Sequence, residues 1–193
     1  MKTFAACLIT FWFSLSPLCY GNDSGLGKDT PKPVNGLIGT EAPDFTLNDL
    51  DNNSITLSAL RGYYIVIHFA TTWCPFCNAE APYLENIAND YKDKKVKVLV
   101  IDVKEHADLV KARLRDRFNW SFPVLLDTEG KVAAAYAPEE LLPDLARDEV
   151  MIASNMLIDP EGKIRFMSLL DSRNFDAQLI NLKSKLNELL SGN

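Results

Sequence analysis

Apolar runs and helical repeats alternate along the chain from residue 40 onward. Residues 63–70 and 96–103 are nearly continuous runs of β-branched, aliphatic and aromatic side chains, a pattern typical of strands buried on both faces. Between them, residues 75–92 place apolar side chains at steps of four and predict an amphipathic helix. A shorter strand is predicted at residues 124–126. Further helices are predicted at residues 107–118, 131–136 and 175–190.

One predicted pair of strands lies at the start of this pattern and another lies near its end. Residues 42–47 alternate between apolar and polar positions and, with a short return strand at 55–57, predict an N-terminal edge hairpin. Near the other end, residues 156–158 and 163–170 flank a strong turn signal, Asp159-Pro160-Glu161-Gly162, and predict a second hairpin. The whole pattern predicts an α/β domain, with a central mixed β-sheet flanked by helices and an N-terminal strand extension.

The first residues predict a targeting segment. Residues 4–18 are mostly apolar and free of charge after a positively charged start, but they are too short for a comfortable membrane span. Small residues at Cys19 and Gly21 suit a signal peptidase, so we predict a signal peptide over residues 1–21 and an exported protein. An uncleaved membrane anchor and lipid attachment at Cys19 are the alternatives.

Residues 22–39 are rich in Gly, Pro, Asn, Asp and Lys and predict a flexible linker, so the folded domain is assigned to residues 40–193. Signal cleavage would remove two of the four cysteines and leave Cys74 and Cys77. In an oxidising compartment, two cysteines at this spacing pair with each other or with a partner protein.

Composition and charge exclude one class of partner. The apolar fraction of 47% is ordinary for a globular protein with a core. The net charge is −6, and no stripe of clustered Lys and Arg is present, which argues against nucleic-acid binding. After signal cleavage, no direct membrane span is expected.

The motif Trp73-Cys74-Pro75-Phe76-Cys77 lies where a buried strand ends and a helix begins. Unsatisfied N–H groups and the partial positive charge of a helix N-terminus stabilise a thiolate, so the pKa of Cys74 should be lowered. Two intervening residues bring Cys77 about one turn further on, within reach of a disulfide. Because Cys74 is nearer the helix start, we expect it to be the more exposed thiol and the attacking nucleophile, with Cys77 as the resolving thiol.

Two other interpretations of the cysteine pair are weaker. A structural disulfide that closes so short a loop removes little chain entropy. Half of a zinc site would need two more ligands, and the mature chain offers only His68 and His106, with no second CxxC pair. The pair therefore favours thiol–disulfide exchange, with no metal and no other cofactor.

The chain around this motif resembles the thioredoxin-fold family, and within it the exported TlpA/ResA-like branch of the AhpC/TSA-redoxin superfamily. The resemblance implies a thioredoxin-like fold with a dithiol/disulfide active site. Many members are membrane-tethered or periplasmic reductants, so it also implies a periplasmic location, a disulfide-bearing protein substrate and a membrane thiol-electron donor. It is carried by residues 39–45, 57–62 and 69–77, by Glu80 and Pro82, and by residues 122–127 and 157–164.

The resemblance implies further site residues. In the ResA-like branch, an acid at the position of Glu80 helps to tune the pKa values of the cysteines; the alternative is an ordinary solvated charge on the helix. The residues beside the cysteines and the loop that faces them bind substrate in this family. On this sequence those positions are Trp73, Pro75, Phe76, Ile152 and Ala153.

Two positions depart from the family pattern. His68 lies in the buried strand, six residues before Cys74, where relatives carry an acid or Asn. It is a candidate proton relay for Cys77, or else a neutral imidazole hydrogen-bonded in the core. Ala153 stands where thioredoxin-fold enzymes carry a cis-proline. A cis bond before Ala would cost ~3 kcal/mol, so a trans bond is expected.

The connection over residues 137–150 is also longer than the family pattern. It leads into the loop that faces the active site, so it is a candidate lid or partner-selecting surface. A solvated acidic insertion is the favoured interpretation. Its acids are Glu139, Glu140, Asp144, Asp148 and Glu149.

Two rival functions remain. A peroxiredoxin-like peroxidase needs Thr or Ser three residues, and Pro seven residues, before the reactive cysteine; Thr71 meets the first requirement, but Ile67 stands at the second. The other rival is a disulfide-stabilised binding module without turnover. The sequence favours an exported oxidoreductase that reduces protein disulfides, although the pair Pro75-Phe76 between the cysteines does not determine the direction of electron flow.

Overall fold

A computed structural model of the protein describes residues 36–139 and 141–192. The predicted signal peptide and residues 22–35 of the predicted linker lie outside the described residues. The strands are β1 (Thr46–Asn48), β2 (Ser54–Thr56), β3 (Tyr64–Ala70), β4 (Val96–Val103), β5 (Val124–Asp127), β6 (Ser154–Ile158) and β7 (Ile164–Ser168). The helices are α1 (Pro75–Asp90), α2 (107–118), α3 (Lys131–Tyr136) and α4 (Ile180–Ser191), with 3-10 turns at Leu57–Leu60 and Glu149–Met151.

Five strands form the central sheet in the order β5-β4-β3-β6-β7. The strands β3, β4 and β5 are parallel, whereas β6 runs antiparallel to both β3 and β7. The hairpin β1–β2 forms a separate two-stranded sheet at the N-terminal side. The predicted α/β architecture, with a central mixed sheet and an N-terminal strand extension, is confirmed.

The central strands separate two cores because successive side chains of a strand point to opposite faces. Val66 and Ala70 of β3 join the core beneath α1 and α4, which also contains both cysteines. Phe69 joins the core on the other face, where its ring packs against Tyr136 of α3 at 5.6 Å between centroids. His68 shares the face of Val66 and Ala70, so the sheet directs its imidazole towards α1.

The N-terminal hairpin is shorter than predicted. The sequence predicts a strand over residues 42–47, but β1 begins at Thr46. Pro43 has no amide hydrogen to donate to a ladder, and the Asp44 carboxylate accepts a hydrogen bond from Ser58 N at 2.9 Å. These local features compete with strand pairing, so the ladder starts only after them.

The C-terminal helix begins later than predicted, at Ile180 rather than at residue 175. Leu179 has a left-handed backbone (φ 54°), which interrupts a right-handed helix. The Asp176 carboxylate accepts a hydrogen bond from Asn181 N at 2.8 Å, within the first turn of α4. Residues 171–179 therefore form a loop instead of a helix, and this loop borders the active site.

The other helices follow the prediction closely. The helix α1 covers most of the predicted span, and α3 matches it. The predicted helix over residues 107–118 is present as Ala107–Val110 and Asp116–Phe118 joined by a π-helical stretch, Lys111–Arg115. None of the helices that the structure describes is long and apolar enough to cross a membrane.

Candidate active site

Cys74 caps the N-terminus of α1, at the end of the loop that follows β3. Its amide donates to Thr71 O at 3.3 Å, and its sulfur accepts a hydrogen bond from the Cys77 amide, with 3.4 Å between Cys77 N and Cys74 Sγ. Pro75 occupies the first turn of the helix, where its missing N–H costs nothing. Both cysteines are free thiols in the structure.

The exposure expected for the two thiols is wrong. The sequence predicts that Cys74 is the more exposed, but each cysteine has only 2% of its surface exposed. Both belong to the core beneath α1, and Phe76 between them packs against Phe175 of the loop 171–179, with 4.9 Å between ring centroids. Trp73 faces solvent instead, with 65% of its surface exposed. Exposure therefore does not distinguish the attacking thiol from the resolving one.

The two thiols differ in acidity. A hydrogen bond from the Cys77 side chain, helped by the backbone N–H groups of Cys77 and Phe76, lowers the pKa of Cys74 to about 6. The same thiol hydrogen bond, followed by burial, raises the pKa of Cys77 above its ordinary value. At neutral pH, Cys74 is mainly a thiolate and Cys77 a thiol. This difference favours Cys74 as the attacking group.

Glu80 lies one turn beyond Cys77 on α1 and is buried, with 3% of its surface exposed. The alternative of a solvated helix charge is therefore wrong. Both carboxyl oxygens accept a hydrogen bond from Asn155 Nδ2, each at 3.1 Å. Burial raises the pKa of Glu80 to about 8, and the Asn155 hydrogen bond opposes part of this rise. Glu80 can therefore take up or release a proton close to neutral pH.

His68 is fully buried in β3 and faces Glu80. Its Nδ1 lies 2.9 Å from Asn155 Oδ1 and 3.3 Å from Glu80 Oε2. Burial lowers the pKa of His68 to about 4, so the ring is neutral at pH 7 and donates through Nδ1. Among the described residues, its side-chain partners are Asn155 and Glu80 rather than Cys77. A direct proton relay from His68 to Cys77 has no hydrogen bond to support it among the described residues.

Asn155 is the residue of this group that sequence reasoning missed. It lies in β6, and the antiparallel register of β3 and β6 places it directly opposite His68. A signal was available, because Asn155 is a polar residue inside a buried strand that follows the loop facing the cysteines. Its partners became evident only from the strand register.

Ala153 lies in the loop that faces the cysteines, and its backbone amide anchors this loop to β3. No peptide bond in the described residues is cis, so the trans bond expected before Ala153 is confirmed. Its backbone is left-handed (φ 62°), which is uncommon for a residue with a Cβ. Its amide donates to Phe69 O at 2.9 Å, and the same carbonyl lies 3.9 Å from Cys77 Sγ. Proline could not make this hydrogen bond, because it has no amide hydrogen.

The predicted substrate-contacting residues differ widely in exposure. Trp73 and Pro75 face solvent, whereas Phe76 and Ile152 are half-buried. Ala153 is buried, with 3% of its surface exposed. Trp73 and Pro75 are accessible to a partner protein, and Ala153 is covered.

The acidic connection over residues 137–150 is anchored at its C-terminal end. Asp148 is 8% exposed and forms an ion pair with Lys104, and Arg147 donates to Leu141 O at 3.0 Å. The interpretation as a solvated insertion therefore fails for Asp148. Glu140 lies outside the described residues. The acids that do face solvent are Glu139, Asp144 and Glu149.

A cavity of about 90 Å³ adjoins Glu80 and Asn155. Polar side chains of the loop 171–179 and of α4 line it, among them Asn174, Asp176 and Asn181. The charge of Asp176 contributes to the raised pKa of Glu80, so a residue that lines the cavity affects the acidity of Glu80. Among the described residues, no three His, Cys, Asp or Glu side chains are grouped so that they could hold a metal ion.

Comparison with known proteins agrees with this architecture. A sequence profile of the AhpC/TSA family matches residues 38–167. The thiol–disulfide oxidoreductase ResA of Geobacillus kaustophilus (strain HTA426) is 35% identical over 128 residues, which cover 66% of this chain and 67% of that protein. ResA of Bacillus subtilis (strain 168) is 32% identical over 126 residues, 65% of this chain and 64% of that protein. The matched region thus spans about two thirds of the length of these relatives.

A solved structure is similar over a larger share of the chain. The solution structure of a protein from Bacteroides thetaiotaomicron, provisionally assigned as a protein disulfide isomerase, has a TM-score of 0.66 at 30% identity. The match covers 80% of this chain and 90% of that chain. The predicted thioredoxin-like fold is therefore confirmed. The chain belongs to the AhpC/TSA family, and its relatives place it in the TlpA/ResA-like branch.

Proposed function

We propose that this protein is an exported thiol–disulfide oxidoreductase that reduces disulfides of protein substrates through Cys74 and Cys77. The observation that carries the proposal is the placement of Cys74 at the N-terminus of α1, where its sulfur accepts a hydrogen bond from the Cys77 amide at 3.4 Å; interactions with Cys77 lower the pKa of Cys74 to about 6 and raise that of Cys77. A thiolate available at neutral pH beside a resolving thiol is what disulfide exchange requires. The ResA relatives are thiol–disulfide oxidoreductases, which supports the same chemistry.

The reaction consists of two exchanges. The Cys74 thiolate attacks one sulfur of the substrate disulfide, so a bond between Cys74 and that sulfur forms, the substrate disulfide breaks, and the departing sulfur takes up a proton. Cys77 then loses its proton and attacks the Cys74 sulfur, which releases the second substrate thiol. Two electrons pass to the substrate, and the pair ends as a Cys74–Cys77 disulfide.

Glu80 is our candidate for the base in the second exchange. Its carboxyl is mainly protonated at neutral pH while Cys74 is a thiolate, and its ionised form gains population once Cys74 is bound to substrate, because the charge of Cys74 then no longer raises the pKa of Glu80. Its negative charge is one of the factors that raise the pKa of Cys77, so the two groups interact. Once Cys74 is bound to substrate, its thiolate no longer accepts the Cys77 proton, and the main factor that holds this proton is removed. Asn155 donates to both oxygens of the Glu80 carboxyl, and His68 Nδ1 lies 3.3 Å from Glu80 Oε2. The cavity beside Glu80 is large enough for water, which could carry the proton towards the loop 171–179.

The direction of electron flow and the partners rest on the family resemblance. A stabilised Cys74 thiolate favours the reduced pair, so an electron donor is needed to make the protein a net reductant. We assign this role to a membrane thiol-electron donor. Export to the periplasm rests on the signal peptide predicted over residues 1–21.

The decisive experiment measures insulin reduction by the reduced protein, followed by turbidity. We expect Cys74→Ser to be inactive, and Cys77→Ser to accumulate a mixed disulfide with substrate. Equal activity of Cys74→Ser and the unsubstituted protein would overturn the proposal. Equilibration with glutathione then gives the reduction potential.

The role of Glu80 is tested by stopped-flow separation of the two exchanges. Glu80→Gln keeps the shape of the side chain but removes the base, so the second exchange should slow by about 10- to 100-fold while the first is unchanged. Asp90→Asn, an exposed acid at the end of the same helix, is the matched control. A Glu80→Gln variant with an unchanged second exchange would contradict the assignment.

A further inference from the structure

The ends of two neighbouring parallel strands bring Glu105 next to the segment that leads into the cysteine pair. The register of β3 and β4 pairs Ala70 with Asp102, so the residues that follow these strands leave the sheet at the same edge. Thr72 and Glu105 meet there. Just before Glu105, Lys104 has a left-handed backbone (φ 61°) and turns the chain at the end of β4. Such a conformation is uncommon for a residue with a Cβ, and it clusters at functional sites.

The Glu105 carboxylate holds Thr72 by two hydrogen bonds. One oxygen accepts the Thr72 amide, and the other accepts the Thr72 hydroxyl, at 2.7 Å between Oγ1 and Oε1. Thr72 is buried, with 6% of its surface exposed. Its carbonyl accepts a hydrogen bond from Asn78 Nδ2 at 3.3 Å, so α1 restrains the same residue. Hydrogen bonds to a carboxylate are stronger than those between neutral groups, so Glu105 supplies the strongest of these restraints.

Trp73 lies between Thr72 and Cys74 and depends on these neighbours for its orientation. It is 65% exposed, and its indole ring has no aromatic partner or hydrogen bond in the part of the chain that the structure describes. The Cys74 amide donates to Thr71 O at 3.3 Å, so Cys74 is tied to the same segment. The position of Thr72 therefore influences both the exposed indole and the sulfur that accepts the Cys77 amide at 3.4 Å.

We propose that Glu105 is a positioning residue for the exchange reaction: through Thr72, it keeps Cys74 at the start of α1. The inference rests on the proposed role of Cys74 as the attacking thiolate. When Thr72 is released, the Cys74 sulfur spends less time beside the Cys77 amide, and its thiolate loses stabilisation. Trp73 also loses its fixed direction, so fewer encounters with a protein disulfide are correctly oriented.

The test uses the full chain, with substitutions on both sides of the contact. Glu105→Ala removes the acceptor. Thr72→Val removes the hydroxyl donor and keeps the shape of the side chain, whereas Thr72→Ser keeps the hydroxyl. The double variant Glu105→Ala/Thr72→Val shows whether the two residues act through one contact. Asp108→Ala is the matched control, because it removes an exposed acid three residues beyond Glu105.

Three measurements separate positioning from stability. The first is the rate of Cys74 alkylation by iodoacetamide across pH, with the modified cysteine identified by mass spectrometry. The second is the rate of the first exchange with the disulfides of insulin, followed by stopped flow. The third is the thermal unfolding midpoint. A purely structural contact would change the midpoint alone, whereas a positioning residue also changes the pH profile of the thiolate.

We expect Glu105→Ala to slow alkylation of Cys74 about fivefold at pH 6, since a rise of about one unit in a pKa of about 6 removes most of the thiolate. The first exchange with insulin should slow by about tenfold, because it also depends on Trp73. Thr72→Val should slow alkylation about twofold, since the Thr72 amide still donates to Glu105, and Thr72→Ser should recover most of this loss. The double variant should react no more slowly than Glu105→Ala, and Asp108→Ala should react like the unsubstituted protein.

Three results would overturn the inference. If Glu105→Ala lowers only the unfolding midpoint and leaves the Cys74 pH profile unchanged, Glu105 has a purely structural role. If Thr72→Val and Thr72→Ser react equally fast, or if the two effects multiply in the double variant, Glu105 does not act through the Thr72 hydroxyl. Should Glu105→Ala fail to fold, the Thr72 pair alone decides. The proposed function fails on a different result, undiminished insulin reduction by Cys74→Ser, so the two failures are distinguishable.

Discussion

Asn155 donates from one amide nitrogen to both carboxyl oxygens of Glu80, at 3.1 Å each. The contact joins the sheet to α1, because Asn155 lies in β6 and Glu80 one turn beyond the cysteine motif. The amide oxygen of Asn155 is turned to His68 Nδ1 at 2.9 Å, so its nitrogen has to face Glu80. A buried acid is thereby held in one orientation beside the resolving thiol.

Removing the Asn155 amide should change the acidity of Glu80. The hydrogen bond from Asn155 opposes the effect of burial, so Asn155→Ala should raise the pKa of Glu80 above its present value of about 8. Carboxyl carbon shifts followed by NMR across pH measure this directly. The control is Asn187→Ala, which removes a surface amide that accepts from the Tyr91 hydroxyl at 2.8 Å. An unchanged Glu80 titration in Asn155→Ala would show that the Asn155 hydrogen bond does not affect the pKa of Glu80.

The Cys77 thiol should account for much of the acidity of Cys74, because its hydrogen bond is the largest factor in lowering that pKa to about 6. Cys77→Ala removes the donor and should raise the pKa of Cys74 by about one unit or more. Cys77→Ser retains a donating hydroxyl and should shift it less. Thiolate absorbance near 240 nm as a function of pH gives both values. If both variants titrate like the unsubstituted protein, the backbone N–H groups dominate.

His68 should make the protein sensitive to acid. Its pKa is lowered from 6.5 to about 4 by burial, so the unfolded state binds a proton that the folded state excludes. The effect of His68 on the free energy of unfolding is therefore fully favourable above pH 6.5. As the pH falls from 6.5 towards 4, the free energy of unfolding should drop by roughly 3 kcal/mol. Urea unfolding at several pH values should therefore show that acid lowers the free energy of unfolding less in His68→Asn than in the unsubstituted protein.

The exposed residue His106 provides the control, since His106→Asn should leave this pH dependence unchanged. The same His68→Asn variant tests the proton relay. If the pH dependence of disulfide reduction is unaffected in this variant, His68 takes no part in proton transfer to Cys77.

Restoring proline at the position of Ala153 should destabilise this chain. Proline fixes φ near −65°, whereas Ala153 has φ 62° and donates its amide to Phe69 O. Ala153→Pro should lower the free energy of unfolding by roughly 3 kcal/mol. Ala153→Gly, which accepts this backbone, should change it by no more than about 1 kcal/mol. Urea denaturation compares the three proteins, and a proline variant as stable as the unsubstituted chain would refute this account.

Local sequence patterns predicted most of the fold. The strand β4 and the helix α3 lie where the sequence places them, because a continuous apolar run and a short helical repeat are properties of neighbouring residues. The errors fall at element ends, as at Leu179, where a left-handed residue delays the start of α4. The backbone conformation of one residue is not visible in the periodicity of its neighbours.

The sequence by itself determined the mixed α/β architecture and the cysteine pair at a helix start, because spacing along the chain sets both. It also made Glu80 and His68 candidates, but not as a connected group. Only the tertiary structure decided that Asn155 joins them and that the two thiols are equally buried. The same holds for the Glu105 carboxylate, which accepts hydrogen bonds from Thr72. These features depend on strand register and on burial, which bring distant residues together and alter their pKa values.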